Sequence, residues 1–326
     1  MFKDKFKYYK KKVPPSSLQN ILNVRTDNND IISKFHLRGR NEALVDEHAN
    51  FGLQHPSLWK AVELKNHPGL IFIVNPFTNN GQRYWIARSV ADYSTKPNLT
   101  NISQLPDLCN LLGDKSWWDL ASCEVNHDKN SISRKMRWAT MGYHHNWDTK
   151  VYSEEAKSPF PADLDKMSRY IVKIALNVDF VPEAAIVNFY LMDSFLSGHV
   201  DRSELNTSAP LVSLSFGQTA VFLLGGETIT TEPDAILLES GDIILMTGKS
   251  RLQYHGVPKI IPTEMENWND FSDADSYSAD ELTEKFNHIT LSRVENRAFW
   301  ASFARYIGQA RVNLNVRQVN YHDFTT

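Results

Sequence analysis

Cysteine is nearly absent from this chain, with Cys109 and Cys123 its only two. Two thiols cannot build a disulfide framework, and their separation matches no zinc-ligand spacing, so a reducing, intracellular compartment is expected. Long apolar runs are missing as well. None approaches the roughly 18 to 20 residues that a membrane span needs, and no hydrophobic signal core follows the start, so a soluble, unsecreted protein with no membrane span is expected. Strong net charge is also lacking, the formal value being −3. That balance hides a segregation: "MFKDKFKYYKKK" at the start holds six Lys against one Asp, and 263–284 holds eight acids and no base. The overall charge therefore excludes no class of partner, and a basic binding face would have to be a local patch. Aromatic residues are abundant, with eight Trp, twelve Tyr and seventeen Phe. Such a content excludes a disordered chain and points to a sizeable core.

Phe2, Phe6 and Tyr9 recur at helical spacing among lysines, which predicts a basic amphipathic helix ended by Pro14 and Pro15. Residues 14–50 read as irregular, "GLIFIVNPF" (69–77) as a buried strand, 78–125 as mainly helical and 126–135 as a basic loop. Leu164, Met167, Ile171 and Ile174 share one face of a further helix. From residue 184 the period becomes strand-like in short segments, "AIVNFYLM", "LVSLSFG", "TAVFLLGG", "AILLESGDIILMTG" and "YHGVPKI", with a tight turn at 240–242. An acidic insertion, a helix over 297–309 and a last strand at 310–319 follow. Many short strands with turns between them mean a sandwich or barrel, here closed by a distant segment.

His199 and Asp201 in "SGHVDRSEL" are two apart and point the same way if that stretch is extended. A polar turn explains such a pair equally well when it stands alone. His255 in "LQYHGV" lies the right number of strands later to supply a second imidazole, and two His with one carboxylate suit a non-haem Fe(II) site with open positions. The last strand sharpens this reading. Along "RVNLNVR", Arg311, Asn313, Asn315 and Arg317 share one face and Val312, Leu314 and Val316 the other. The polar face of an ordinary half-buried strand looks at water. In "IVNFYLM", however, Asn188 and Tyr190 also share a face against Val187, Phe189 and Leu191, as in a barrel with an apolar exterior and an anionic ligand inside.

Together these residues resemble the AlkB family of Fe(II)- and 2-oxoglutarate-dependent dioxygenases, whose pattern has an Asn-x-Tyr strand, an H-x-D motif, a distal His and a closing R-x-N-x-x-x-R strand. "MRWATMGYHHNWDTKVYS" (136–153), "HVDRSEL" and "FLLGG" are similar in particular to its animal homologue-one subgroup, over about residues 69–320. The resemblance implies a mainly β fold with flanking helices: a double-stranded β-helix, or jelly roll, with an N-terminal helical extension and a nucleotide-recognition lid. It implies residues 1–68 as the extension, 69–183 as helical support and lid, and 184–320 as the catalytic core with an acidic insertion at 263–290. It further implies that His199, Asp201 and His255 bind Fe(II), and that Asn188, Tyr190, Arg311, Asn313 and Arg317 hold 2-oxoglutarate. Oxygen would convert that cosubstrate to succinate and CO2 while a substrate C–H bond is oxidised, an N-methyl group then leaving as formaldehyde.

Such an enzyme acts on flipped or unpaired nucleotides stacked on aromatic side chains. Trp138, Tyr143 and Trp147 are the candidates, beside Arg134, Lys135, Arg137 and Lys150, although Trp138 and Trp147 fit a core role equally well. The adjacent His144 and His145 are not read as ligands, and His67 reads as a turn residue. Repair members of the family carry a second acid two positions past the H-x-D Asp; here that position is Ser203, with Glu204 next to it. This departure favours 1-methyladenosine or 5-methylcytidine in tRNA and N6-methyladenine in unpaired DNA as substrates. The competing readings are a protein or histone demethylase or hydroxylase of the same fold and a non-catalytic nucleic-acid-binding protein. A monomer in the nucleus or mitochondrion, or the cytoplasm, is expected.

Overall fold

The strand-like periodicity after residue 184 is realised as two facing antiparallel sheets in the computed structural model, which describes residues 1–26, 30–39, 42–124, 128, 130–271 and 288–323. In chain order the strands are β1 (Ile32–Lys34), β2 (Lys60–Leu64), β3 (Leu70–Val74), β4 (Leu99–Thr100), β5 (Trp138–His145), β6 (Tyr152–Lys157) and β7 (Ala184–Leu191). They continue with β8 (Leu196–His199), β9 (Leu211–Gly217), β10 (Thr219–Leu224), β11 (Asp234–Leu238), β12 (Ile243–Met246), β13 (His255–Ile261) and β14 (Ala310–Arg317). The major sheet runs β1-β2-β3-β12-β9-β14-β7-β5-β4, with β6 paired to β5, and the minor sheet runs β11-β10-β13-β8. This is the jelly-roll arrangement expected.

Alternation along the strands sorts side chains into two cores. Val187, Phe189, Leu191, Val312, Leu314 and Val316 point outward and pack with the helices Asn79–Ala87, Ala162–Leu176 and Arg297–Ile307. Leu164, Met167, Ile171 and Ile174 are all fully buried there, each such side chain contributing about 1.5–3 kcal/mol of transfer free energy. Between the sheets, Phe222, Leu224, Ile236, Leu238, Ile244 and Val257 form an inner core. β14 fulfils the expectation of a late closing strand, because it inserts centrally between β9 and β7.

The turn at 240–242 carries the chain from the minor to the major sheet, since β11 pairs with β10 and β12 with β3 and β9. Gly241 turns there with φ +84°, and Asn75 fills the place where a Cβ would stand. The N-terminal helix, Phe2–Lys10, forms as expected and buries Phe2 and Tyr9. Phe2 lies directly against Gly198, so the helix docks on the strand that delivers His199.

Sheet pairing does not respect a division at residue 184. β2 and β3 extend the major sheet on one side and β5 on the other, because hydrogen bonding between distant strands is invisible to local periodicity. Of the segment expected as a basic loop, residues 132–134 form a short 3-10 turn. Most of the acidic insertion lies outside the described residues. No helix among the described residues is long and apolar enough to cross a membrane.

Candidate active site

His199 ends β8 and His255 begins β13, and the antiparallel pairing of these strands sets the two residues opposite each other. With Asp201 they form a cluster whose candidate donor atoms all lie within 4.8 Å of one another. His199 Nε2 is 3.9 Å from Asp201 Oδ1, and His255 Nε2 is 3.7 Å from Asp201 Oδ2. Each Nδ1 sits on a backbone carbonyl, His199 on Ser197 at 2.9 Å and His255 on Gln253 at 3.0 Å. A carbonyl only accepts, so each Nδ1 carries a proton, which leaves Nε2 as the ring atom that faces the carboxylate and can serve a metal. Burial, reinforced by His199, pushes His255 down to about 4, which keeps it neutral near pH 7. Burial acts to raise Asp201, but its charged neighbours, Arg317 first, outweigh burial and hold the carboxyl well below its usual range. Two imidazoles and a carboxylate are a donor set that fits Fe(II).

β14 turns its polar face into the cavity, with Arg311 opposite Tyr190 and Asn313 opposite Asn188 on β7. Arg311 is 1% exposed. Its Nη2 donates to Ser215 Oγ at 3.0 Å, while Nε and Nη1 have no hydrogen-bond partner. A buried guanidinium with two unused donors is costly unless an anion completes it, so its surroundings fit a dicarboxylate. Arg317 is engaged already. Its Nη2 lies 2.9 Å from Asp201 Oδ2 and its Nε 3.0 Å from Glu204 Oε1, the second a charge contact outside hydrogen-bond alignment. Burial opposes the charge of Arg317, but the neighbouring anionic groups, Asp201 first, raise its pKa overall. Asn313 donates to Ser213 Oγ and the Leu214 carbonyl, both at 2.9 Å, and accepts from Asn315. It therefore braces β14 against β9. Asn188 and Tyr190 line the cavity, of about 360 Å³, together with the three candidate ligands.

At the mouth, Trp147 is 40% exposed, stands 5.7 Å from Trp138 between ring centroids and contacts the ring of His145. Trp147, His145, Lys150, Tyr152 and Ser203 line the cavity. Trp138 instead lines a neighbouring groove with Arg134, Lys135 and Arg137. Tyr143 departs from the sequence expectation: it is buried against Ala184 and Val319, donates its hydroxyl to Glu154 and accepts from Asn320 Nδ2 at 3.3 Å. The pairing of β5 with β6 shifts register between Tyr143 and His145, and His145 is the residue that reaches the cavity. Glu204 departs too. Its carboxylate is taken by Arg251 at 3.1 Å and Arg317 at 3.0 Å, with the Tyr152 hydroxyl at 3.4 Å, so no free acid is left for a substrate.

Sequence reasoning also missed His145, Tyr152 and Arg251. The first two sit on a hairpin whose bulge breaks strict alternation. For Arg251 the available signal was only an arginine four residues before His255, in the largely polar stretch "GKSRLQY" between two strands.

Comparison with known proteins agrees with this geometry. The family model described as the 2OG-Fe(II) oxygenase superfamily matches residues 69–317. The human protein named nucleic acid dioxygenase ALKBH1 is 40% identical over 272 residues, covering 82% of this chain and 68% of that protein. The Schizosaccharomyces pombe tRNA demethylase abh1 is 35% identical over 220 residues, 62% of this chain and 71% of its own. The Arabidopsis thaliana DNA N(6)-methyladenine demethylase ALKBH1A is 30% identical over 283 residues, 78% and 76% respectively.

Proposed function

Because this chain belongs to the 2OG-Fe(II) oxygenase superfamily and, within it, to the AlkB family, we propose that it oxidises methyl groups on unpaired bases of nucleic acid. It is an Fe(II)- and 2-oxoglutarate-dependent dioxygenase. One observation carries the assignment of residues: the convergent His199, Asp201 and His255 share a cavity with the incompletely bonded guanidinium of Arg311. The names of the relatives point to tRNA and to N6-methyladenine in DNA as substrate classes.

His199 Nε2, the Asp201 carboxylate and His255 Nε2 would hold Fe(II). Arg311 would take one carboxylate of 2-oxoglutarate through its free Nε and Nη1, with Asn188 and Tyr190 beside it and Arg317 at the metal end. When bound, iron and cosubstrate supply the oxidation, in which O2 converts 2-oxoglutarate to succinate and CO2 and a methyl group is hydroxylated, an N-methyl group then leaving as formaldehyde. The protein contributes placement and exclusion of water. The Ser197 and Gln253 carbonyls keep both imidazoles in the ligating tautomer. The exposed Trp147 offers a stacking face and Lys150 a cation for phosphate. A base held within a duplex stack cannot reach the depth of His255, so the substrate nucleotide must be flipped or unpaired.

We further propose that the chain works as a monomer, which light scattering of the purified protein checks. For localisation we propose the nucleus or mitochondrion, with the cytoplasm as the alternative; microscopy of the tagged chain checks this. The decisive experiment is mass spectrometry of nucleosides from tRNA and single-stranded DNA incubated with wild type and Asp201→Ala. Loss of methylated nucleoside with wild type alone is expected, and equal turnover by the variant would refute the metal assignment.

A further inference from the structure

Among the described residues, the pair Arg251 and Glu204, whose side chains are 2% and 1% exposed, is a buried charged pair that the reaction itself leaves unexplained. Arg251 lies in the 3-10 turn Gly248–Leu252, four residues before His255. All three nitrogens of its fork are used. Nη1 donates to the Asp201 carbonyl at 2.6 Å, Nη2 to Glu204 Oε2 at 3.1 Å and Nε to the Ala209 carbonyl at 3.2 Å. Every acceptor belongs to the loop that leaves β8 and carries Asp201. The other oxygen of Glu204 lies 3.0 Å from Arg317 Nε, and Arg317 Nη2 returns to Asp201 Oδ2 at 2.9 Å. Side chains thus close a ring from Arg251 through Glu204 and Arg317 to Asp201, and back by the Asp201 backbone.

The backbone alone holds this region loosely. β8 and β13 pair at His199 and His255, and their register shifts immediately afterwards, between His255 and Val257. The Asp201 loop has no ladder of its own. We propose that Arg251, with Glu204 as its partner, is a positioning residue of this site, setting where Asp201 and Arg317 stand relative to His255. The inference rests on the reading of the site as a metal and 2-oxoglutarate centre. Arginine is required because a planar fork reaches three acceptors held in fixed directions, whereas lysine presents a single ammonium. Glu204 is required because it neutralises Arg251 and aims Arg317 with its two separate oxygens.

A purely stabilising ion pair makes a different prediction. Removing both members of a buried pair and substituting apolar groups of similar size is often neutral or stabilising, whereas removing one strands the other. The test measures Co(II) and 2-oxoglutarate affinity by calorimetry, the Co(II) absorption spectrum, thermal stability, and the split of KM for 2-oxoglutarate against kcat. Arg251→Gln and Glu204→Gln are each expected to weaken both ligands by about tenfold or more, with an altered Co(II) spectrum, and Arg251→Lys should not rescue them. The double variant Arg251→Met/Glu204→Leu should regain thermal stability while its ligand affinities stay low. Wild-type affinities in the double variant, or rescue by Arg251→Lys, would overturn the proposal. If Arg251→Gln fails to fold, Glu204→Gln and the double variant carry the test. Wild-type protein that binds neither Co(II) nor 2-oxoglutarate would instead refute the reading of the site, a distinguishable result.

Discussion

Replacing Arg311 with methionine tests the cosubstrate end of the cavity, because in this structure the guanidinium is buried with only Nη2 satisfied, by Ser215. Two donors, Nε and Nη1, remain for a carboxylate. Hydrogen bonds to charged groups contribute about 1.5–3 kcal/mol each, so the pair amounts to about 3–6 kcal/mol. At about 1.4 kcal/mol per decade, Arg311→Met should raise the 2-oxoglutarate Kd by about 10²- to 10⁴-fold. The same geometry predicts an opposite effect on the ligand-free protein. Methionine removes a buried charge that lacks full compensation, so the unliganded variant should melt at or above the wild-type temperature. Wild type should gain stability as Co(II) and 2-oxoglutarate are added together, following RT ln(1 + [L]/Kd), and the variant should lose that gain. Thermal melts with and without ligands, paired with calorimetric titration, read both effects. Normal saturation by 2-oxoglutarate would refute the assignment of Arg311. A ligand-free variant several degrees less stable would show that the guanidinium is already compensated.

Two further outcomes follow from particular contacts. Trp147→Ala should raise KM for single-stranded substrate by the equivalent of about 1–3 kcal/mol of stacking while leaving 2-oxoglutarate affinity unchanged; equal KM values would remove Trp147 from substrate recognition. Asp163 is buried and accepts from Arg88 Nε at 2.7 Å and from the Tyr84 and Tyr93 hydroxyls at 2.7 and 3.1 Å. Burial acts to raise its pKa, but these donors more than offset burial and hold the carboxyl below its ordinary 3.8. Its stabilising contribution is therefore present above pH 3.8 and disappears as pH falls through the lowered folded value. Asp163→Asn should cost about 3 kcal/mol near pH 7 and flatten the acid limb of the stability curve, as urea unfolding against pH would measure. An unchanged acid limb would show that Asp163 does not drive it.

The inner face of the cavity was legible because β-strands alternate without exception along "RVNLNVR": once Val312, Leu314 and Val316 are apolar, Arg311, Asn313 and Arg317 have to share the other side. The same reasoning located Asn188 and Tyr190. No such alternation argument stands behind Tyr143, whose candidacy rests on its place in the expected lid; it lies on β5, whose register against β6 shifts between it and His145. Alternation could not divide the sheets, since β2, β3 and β5 join the major sheet through pairing with partners far away in the chain. Buried ion pairs escape pattern reading for another reason. Arg251 and Glu204 look like solvated residues in sequence, and what permits their burial is satisfaction by each other, by the Asp201 and Ala209 carbonyls and by Arg317.

That last point changes what the "HVDRSEL" segment says about substrate. From sequence, the acid at Glu204 looked like a substrate contact displaced by one residue from its place in the repair members of the family. In the structure the displacement moves the carboxylate into a different electrostatic environment, because Glu204 spends both oxygens on Arg251 and Arg317. Next to it, Ser203 lines the cavity. A neutral hydroxyl can donate or accept a hydrogen bond, but it gives no ionic preference for a positively charged base. Stacking on Trp147, the fit between His145 and Tyr152, and hydrogen bonding by Ser203 are then the means of telling methylated bases apart, beside the cations Lys150 and Arg202 that also line the cavity. In the proposed assignment charge also serves the cosubstrate, through Arg311 and Arg317, and the metal, through Asp201.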